Sequence, residues 1–271
     1  MTAPAVTLSP PSSSGAGFAR PRIVGDAMTI AWRNLLNIRR NPQLLVFATI
    51  QPVIFVLMFR YVFGGAIRVP GVSYVNYLMP GIFVQTVVFG SLTTGVGLAE
   101  DLQKGLVDRF RSLPMARSAV LIGRTLADLV RNVFVVALMC IVGFAVGWQP
   151  SGSATAVIGG VALVLGFAYS LSWLFAIVGL TVRDSETAQA ASFPILAPLV
   201  FASSAFVPIS SMPGWLQAFA NHQPVSVVVN AVRDLTLGVP ATSHVLGAIA
   251  WIVAIVAVCA PIAVSRYRRA V

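Results

Sequence analysis

The sequence is poor in the residues that carry most enzyme chemistry. It has two cysteines and two histidines in 271 residues. Cys140 and Cys259 lie inside apolar stretches far from either histidine. A metal site needs ligands gathered at short spacing, so this spacing speaks against one, and the cysteines read as small buried side chains. His222 and His244 stand singly in or beside one late polar region, a pattern that suits hydrogen-bonded structural residues better than catalytic ones. No GxSxG, HExxH or CxxC occurs. Lysine appears once, at Lys104, followed by Gly105. A Walker A loop needs its lysine after glycine and before Ser or Thr, so the chain does not hold ATP that way. No catalytic, cofactor-binding or metal-ligating residue is expected.

Charge is scarce as well. Charged residues make up 10% of the chain, against about 25% in soluble domains. Hydrophobic residues make up 57%, and the mean hydropathy is +0.87. This composition excludes an ordinary soluble domain. The acids are Asp26, Glu100, Asp101, Asp108, Asp128, Asp184, Glu186 and Asp234, and each maps to a loop or to the end of an apolar stretch. Ion-coupled carriers keep titratable groups within the membrane, where a charge costs about 2.5–3.5 kcal/mol on insertion scales. The acid pattern therefore weighs against proton coupling. The net charge of +10 does not point to nucleic acid, because the bases cluster between apolar stretches, as they do at membrane faces.

What remains is a chain of long apolar stretches, and a membrane span takes about 20 such residues. The expected class is an all-α polytopic membrane protein with six transmembrane helices, at 43–63, 77–99, a third whose apolar part is 129–148, and then 155–182, 188–204 and 244–264. Residues 1–22, rich in Pro, Ser, Ala and Gly, read as a disordered tail without the apolar core of a signal peptide. Residues 26–40 read as an interfacial helix that Asp26 can cap. Its apolar side holds Met28, Ala31, Trp32, Leu35 and Ile38, and its polar side holds Thr29, Arg33, Asn37 and Arg40. Asn41-Pro42 then turns the chain. Residues 205–243, broken by Pro208, Pro213, Pro224 and Pro240, read as an external re-entrant segment. Residues 23–265 form the permeation domain, and 266–271 form a basic tail. With both termini in the cytoplasm, every base except Arg60, Arg68 and Arg233 falls on the inner side.

Two charged patterns carry mechanical meaning. Arg124, Asp128 and Arg131 lie at i, i+4 and i+7 on one helix face, either as a solvated helix end or as an ion-pair strut. Residues 100–117, EDLQKGLVDRFRSLPMAR, place Leu102, Leu106, Phe110 and Leu113 on one stripe and Lys104, Asp108 and Arg111 off it. This is a short amphipathic helix stopped by Pro114, which either rests on the membrane or is gripped by a cytoplasmic partner.

The same stretch carries a resemblance. Gly105, Asp108-Arg109-Phe110-Arg111-Ser112-Leu113-Pro114-Met115 and Gly123-Arg124 resemble the type-2 ABC export permeases, with the daunorubicin-resistance branch the nearest. A second block agrees: Phe206-Val207-Pro208, Met212-Pro213-Gly214-Trp215, Gln223-Pro224 and Arg233. The resemblance implies a permease that pairs as a homodimer or heterodimer and binds two copies of a separate ABC ATPase subunit. ATP and Mg would sit on that partner. It implies that 100–117 is a coupling helix, with partner contacts from Glu100, Asp101, Lys104, Gly105, Asp108, Arg109, Phe110, Arg111, Pro114 and Arg117. The link Arg183, Asp184 and Glu186 and the helix 26–40 would lie near the same interface. Phe206, Pro208, Pro213, Trp215 and Pro224 would form an external gate. Leu113-Pro114 stands where many relatives have Thr-Pro, a departure that could tune partner choice. The implied function is outward movement of an amphipathic or hydrophobic compound across the plasma membrane. The alternatives are a proton-coupled drug efflux protein and a non-transport scaffold or intramembrane enzyme.

One prediction concerns the side on which the charged loop lies. A protease site or tag placed within 100–117 is expected to be reached in inverted membrane vesicles and protected in intact cells. Cleavage in intact cells would remove the basis of the coupling reading.

Overall fold

The computed structural model describes residues 23–40, 42–65, 67, 69, 71–105 and 117–270. The expected tail 1–22 and the coupling residues Asp108, Arg109, Phe110, Arg111 and Pro114 lie outside these described residues, as do Asn41 and Arg68. The elements are α1 (Ile23–Arg40), α2 (Pro42–Leu57), α3 (Tyr74–Gln103), α4 (Arg117–Ala145), α5 (Ala154–Gly179), α6 (Ser185–Phe201), α7 (Gly214–His222), α8 (Pro224–Leu237) and α9 (Thr242–Ala270). Helix α2 continues into a π-helical end over Met58–Phe63. No strand occurs among the described residues.

The helix starts follow from local chemistry. The side chains of Ser73, Ser153 and Asp184 accept from the amides of Asn76, Ala156 and Thr187, satisfying first-turn donors of α3, α5 and α6. Pro224 opens α8, where its missing N–H costs nothing, and Gly238 closes it with φ +72°.

Four helices, α3, α4, α5 and α9, are long and apolar enough to cross a membrane. The expected first and fifth spans correspond to shorter helices. The described apolar part of α2 and its continuation is Thr49–Phe63, and α6 has 17 residues with Pro194 and Pro198 inside. The six-span expectation therefore rests on four full-length helices and two short ones.

The bundle is built around α3 and α5, which pack along each other. In its most apolar stretch α3 is 67% buried and α9 only 11%, so α3 is the axis and α9 the periphery. Helices α6 and α8 also pack on α3, α9 covers α5 and α8, and α4 bridges α3, α5 and α1. The main core gathers Phe83, Phe167, Phe175, Leu78 and Met79. A second cluster joins Ile30, Leu98, Trp173 and Tyr267. The α3–α5 crossing depends on two glycines. A Cβ on Gly95 would meet the Phe175 carbonyl, and a Cβ on Gly179 would meet the backbone of Gly95. Small residues that admit this approach replace the hydrophobic drive that lipid cannot supply.

Three sequence expectations need correction. The expected apolar part 129–148 belongs to a longer helix, α4 from Arg117, so Asp128 sits inside this helix rather than at the end of its membrane-crossing length. Burial is tolerated because Thr94 and Arg131 pair with it. Helix α1 starts at Ile23, so Asp26 lies in its first turn and does not cap it. That helix also docks on α4 through Ile30 and Ala31, while Met28 and Trp32 stay exposed. Arg266, Arg268 and Arg269 continue α9 instead of forming a separate tail.

The glycine crossing predicts a graded effect. Gly95→Leu and Gly179→Leu each force the backbones apart and should cost about 1–3 kcal/mol. Gly159→Leu, on the same helix with open space around it, should be nearly neutral. Thermal unfolding of the purified protein in detergent measures the contrast, and equal melting shifts for the three would contradict it.

Candidate functional site

The expected coupling residues begin at the end of α3. Glu100 and Asp101 occupy its last turn, Lys104 caps it, and Gly105 leaves it with φ +65°. Lys104 Nζ donates to Glu100 Oε1 at 2.5 Å, an exposed pair that holds the ammonium above its ordinary range. Arg117 opens α4, its side chain outside the described residues. In the second link, Arg183 and Glu186 are exposed. Asp184 accepts from the Thr187 amide at 2.7 Å and its hydroxyl at 2.9 Å, and these donors hold its carboxyl below the usual carboxylate range. Arg266 of α9 donates to Thr181 at 3.0 Å, tying the end of the last helix to this link.

Arg124, Asp128 and Arg131 share one face of α4, and that face meets α3. Arg124 donates across to Asp101 of α3. Asp128 Oδ2 accepts from Thr94 at 2.5 Å, and its other oxygen lies 3.4 Å from Arg131. Arg131 also donates to the Gly90 carbonyl at 2.7 Å and to Thr93. The charges on α4 therefore staple it to α3 at three levels. Gly97 leaves room for the Arg124 guanidinium, which a Cβ there would push aside.

The structure separates the expected gate residues. Phe206 is buried and stacks on Phe59 at 4.5 Å and 9°. Pro208 and Pro213 precede the short turn Ile209–Ser211 and α7, and Pro224 opens α8. Trp215 is 76% exposed on α7 and does not join Phe206.

The polar centre of this region is a residue that sequence reasoning placed in the external segment without a role. Helix α6 ends at Phe201, and the non-helical stretch Ser203–Phe206 that follows is buried. Arg233 of α8 is 7% exposed. Its Nη2 donates to the Ser204 carbonyl at 2.6 Å, its Nε to the Tyr77 carbonyl at 3.1 Å, and its Nη1 to Asn230 Oδ1 at 2.9 Å. Its guanidinium carbon lies 3.7 Å from the Tyr77 ring centroid. The Tyr77 hydroxyl donates to the same Ser204 carbonyl at 3.1 Å, and Gln223 donates to the Ala202 carbonyl at 2.9 Å. The close pass of Ala205 against α3 requires Gly81. A lone arginine within VVVNAVRDL, three residues after an asparagine, was the available signal in the sequence. His244 Nδ1 donates to Asp234 Oδ2 at 2.5 Å, and His222 Nδ1 donates to the Ala218 carbonyl at 2.9 Å, so both histidines have structural partners.

Comparison with known proteins extends this picture. The model of the ABC-2 type transporter family matches residues 26–237. The daunorubicin resistance ABC transporter permease protein DrrB1 of Streptomyces coeruleorubidus is similar, with 35% identity over 94% of this chain and 90% of its own. The probable doxorubicin resistance ABC transporter permease protein DrrC of Mycobacterium tuberculosis is 28% identical over 99% of this chain and 98% of its own. The doxorubicin resistance ABC transporter permease protein DrrB of the same organism is 26% identical over 87% and 86%.

Arg233 generates the prediction here. Arg233→Leu removes one donor each from the Ser204 and Tyr77 carbonyls and from Asn230 in a buried setting and should cost about 2–4 kcal/mol. Arg233→Lys should recover only part of this, because a point charge cannot bridge three acceptors as a fork does. Melting temperature in detergent reads both, and full recovery by lysine would contradict the bridging role.

Proposed function

Because the chain belongs to the ABC-2 type transporter family, we propose that it is the membrane permease subunit of an ATP-driven exporter whose ATP is hydrolysed on a separate chain. The sequence supports this division of labour, since its single lysine cannot serve a Walker A loop. Two copies of an ABC ATPase subunit, carrying ATP and Mg, would act on a pair of permeases in the plasma membrane, either identical or related. Six spans place both termini in the cytoplasm, with α2 and α6 as the short ones.

The observation that carries this reading is the stapling of α3 to α4. The two helices flank residues 104–116, and Asp101–Arg124, Thr94–Asp128 and Gly90–Arg131 join them beyond that loop. A force on the loop therefore reaches both helices as one body. In this reading the stretch Glu100 to Arg117 is the coupling helix, Arg183, Asp184 and Glu186 lie beside it, and closure of the ATPase pair shifts the permeases between two states. The segment from Phe206 to Pro224 closes the outer side. The cargo is an amphipathic or hydrophobic compound, whether drug, lipid or glycolipid. The naming of relatives for daunorubicin and doxorubicin resistance supports a drug-like member of that class.

Asp128 is the one feature that favours proton-coupled efflux, as an acid inside an apolar helix. Its engagement by Arg131 and Thr94 gives it a structural task instead. Deletion of 106–111 or Arg109→Glu is expected to abolish transport-linked ATP hydrolysis in proteoliposomes containing permease and ATPase, with membrane insertion unchanged. Asp128→Asn should keep ATP-driven export. Export that stops with Asp128→Asn and follows an imposed proton gradient without ATP would replace the exporter reading.

A further inference from the structure

A cavity of about 130 Å3 opens between α2, α3 and α4, at mid-length of the two long helices. Gln85 of α3 and Asn132 of α4 line it, each 2% exposed. Gln85 Oε1 and Asn132 Nδ2 are both buried without a hydrogen-bond partner. One acceptor and one donor, as assigned, thus border the same space. At this depth in an apolar bundle, an unpaired amide is costly enough that such groups are normally paired. Asn132 reaches its position because Gly90 has no side chain, and a Cβ there would lie 2.8 Å from Asn132 Oδ1.

The rest of the lining narrows what fits. Arg131 borders the cavity but is already engaged by Asp128, Thr93 and the Gly90 carbonyl, so the cavity offers no free charge among the described residues. Thr86 gives its hydroxyl to the Ile82 carbonyl at 2.7 Å. Phe89 and Val135 supply apolar and aromatic wall, and Gln51 of α2 stands exposed at the rim. Near Gln51 in the sequence of α2, Ile50 and Ile54 are exposed.

We propose that this cavity is a subsite for the uncharged, hydrogen-bonding end of an amphiphile, a hydroxyl–carbonyl or amide edge joined to an apolar or aromatic body. That the amphiphile is the exported cargo rests on the exporter reading above. Gln85 accepts from the ligand's hydroxyl or N–H, and Asn132 donates to its carbonyl. The small volume takes the polar edge only, and the body lies along the exposed α2 face. An ionised head is disfavoured, because no opposite charge is left to receive it.

The test uses the full-length permease with its ATPase partner in lipid nanodiscs. The probes are quinizarin, an uncharged dihydroxy-anthraquinone, and anthracene, the same ring system without oxygens. Binding is titrated by fluorescence without ATP. Quinizarin should bind more tightly than anthracene. Gln85→Met and Asn132→Leu should each weaken quinizarin about two- to tenfold, as expected for one lost hydrogen bond, and leave anthracene unchanged. Gln51→Leu, at an exposed position, provides a variant whose folding is not at issue and should weaken quinizarin in the same direction. Equal binding of the two probes by the unmodified protein, or quinizarin binding indifferent to all three substitutions, would overturn the subsite, and either result would mean that the cavity holds only water. ATP-dependent movement of quinizarin is then measured in proteoliposomes. Intact, Gln85-dependent binding without such movement supports the ligand site and counts against the exporter reading alone.

Discussion

Every backbone group freed by a broken helix in an apolar bundle has to find a partner from within the protein, and the break after α6 is where this chain meets that demand most heavily. Between Ala202 and Phe206 the chain leaves helical geometry while still buried. Arg233, Tyr77 and Gln223 supply the donors, from α8, α3 and the turn between α7 and α8. An arginine suits this place because its planar fork can serve several carbonyls while its face lies on an aromatic ring. The same segment lies against Gly81, and Phe206 at its end stacks on Phe59.

The charges of α4 solve a related problem in another way. Arg124, Asp128 and Arg131 are spaced as a helical stripe, and a stripe of charge on an apolar helix can point only to water or to a neighbour with matching groups. The neighbour is α3, with Asp101, Thr94, Thr93 and the carbonyl at Gly90 set opposite. The result is a polar seam between two apolar helices. It fixes their register more sharply than packing alone, because hydrogen bonds in a dry setting are directional and their loss leaves charge unpaired.

Much of this architecture was legible in the amino-acid order, and what was not has physical reasons. Apolar length and the spacing of Pro, Gly and charged residues located the helices of α3, α5 and α9 closely. For α4 the apolar part was legible but the burial of Asp128 was not, because hydropathy cannot tell a charge facing solvent from one paired with a facing helix. The side of α1 that docks on α4 was hidden for a similar cause: Met28 and Trp32 are more hydrophobic than Ala31, but the small residue is the one that permits contact. The stripe Arg124, Asp128 and Arg131 was visible as a stripe, whereas its cross-helix partners were not, since residues 90–101 are distant in sequence. Arg233 and the Gln85–Asn132 pair share that difficulty, because burial of a polar side chain is a property of three helices at once.

The π-helical end of α2 has a bearing on chain length. A π turn houses one residue more than an α turn of the same span, with the surplus accommodated by a bulge. Removing a single residue from Met58–Phe63 would return that stretch to ordinary α geometry while leaving Pro42–Leu57 undisturbed. Among the described residues this is therefore a natural place for indels, whereas the same excision within α3 would rotate Gly95 away from Gly179 and dismantle the axis of the bundle.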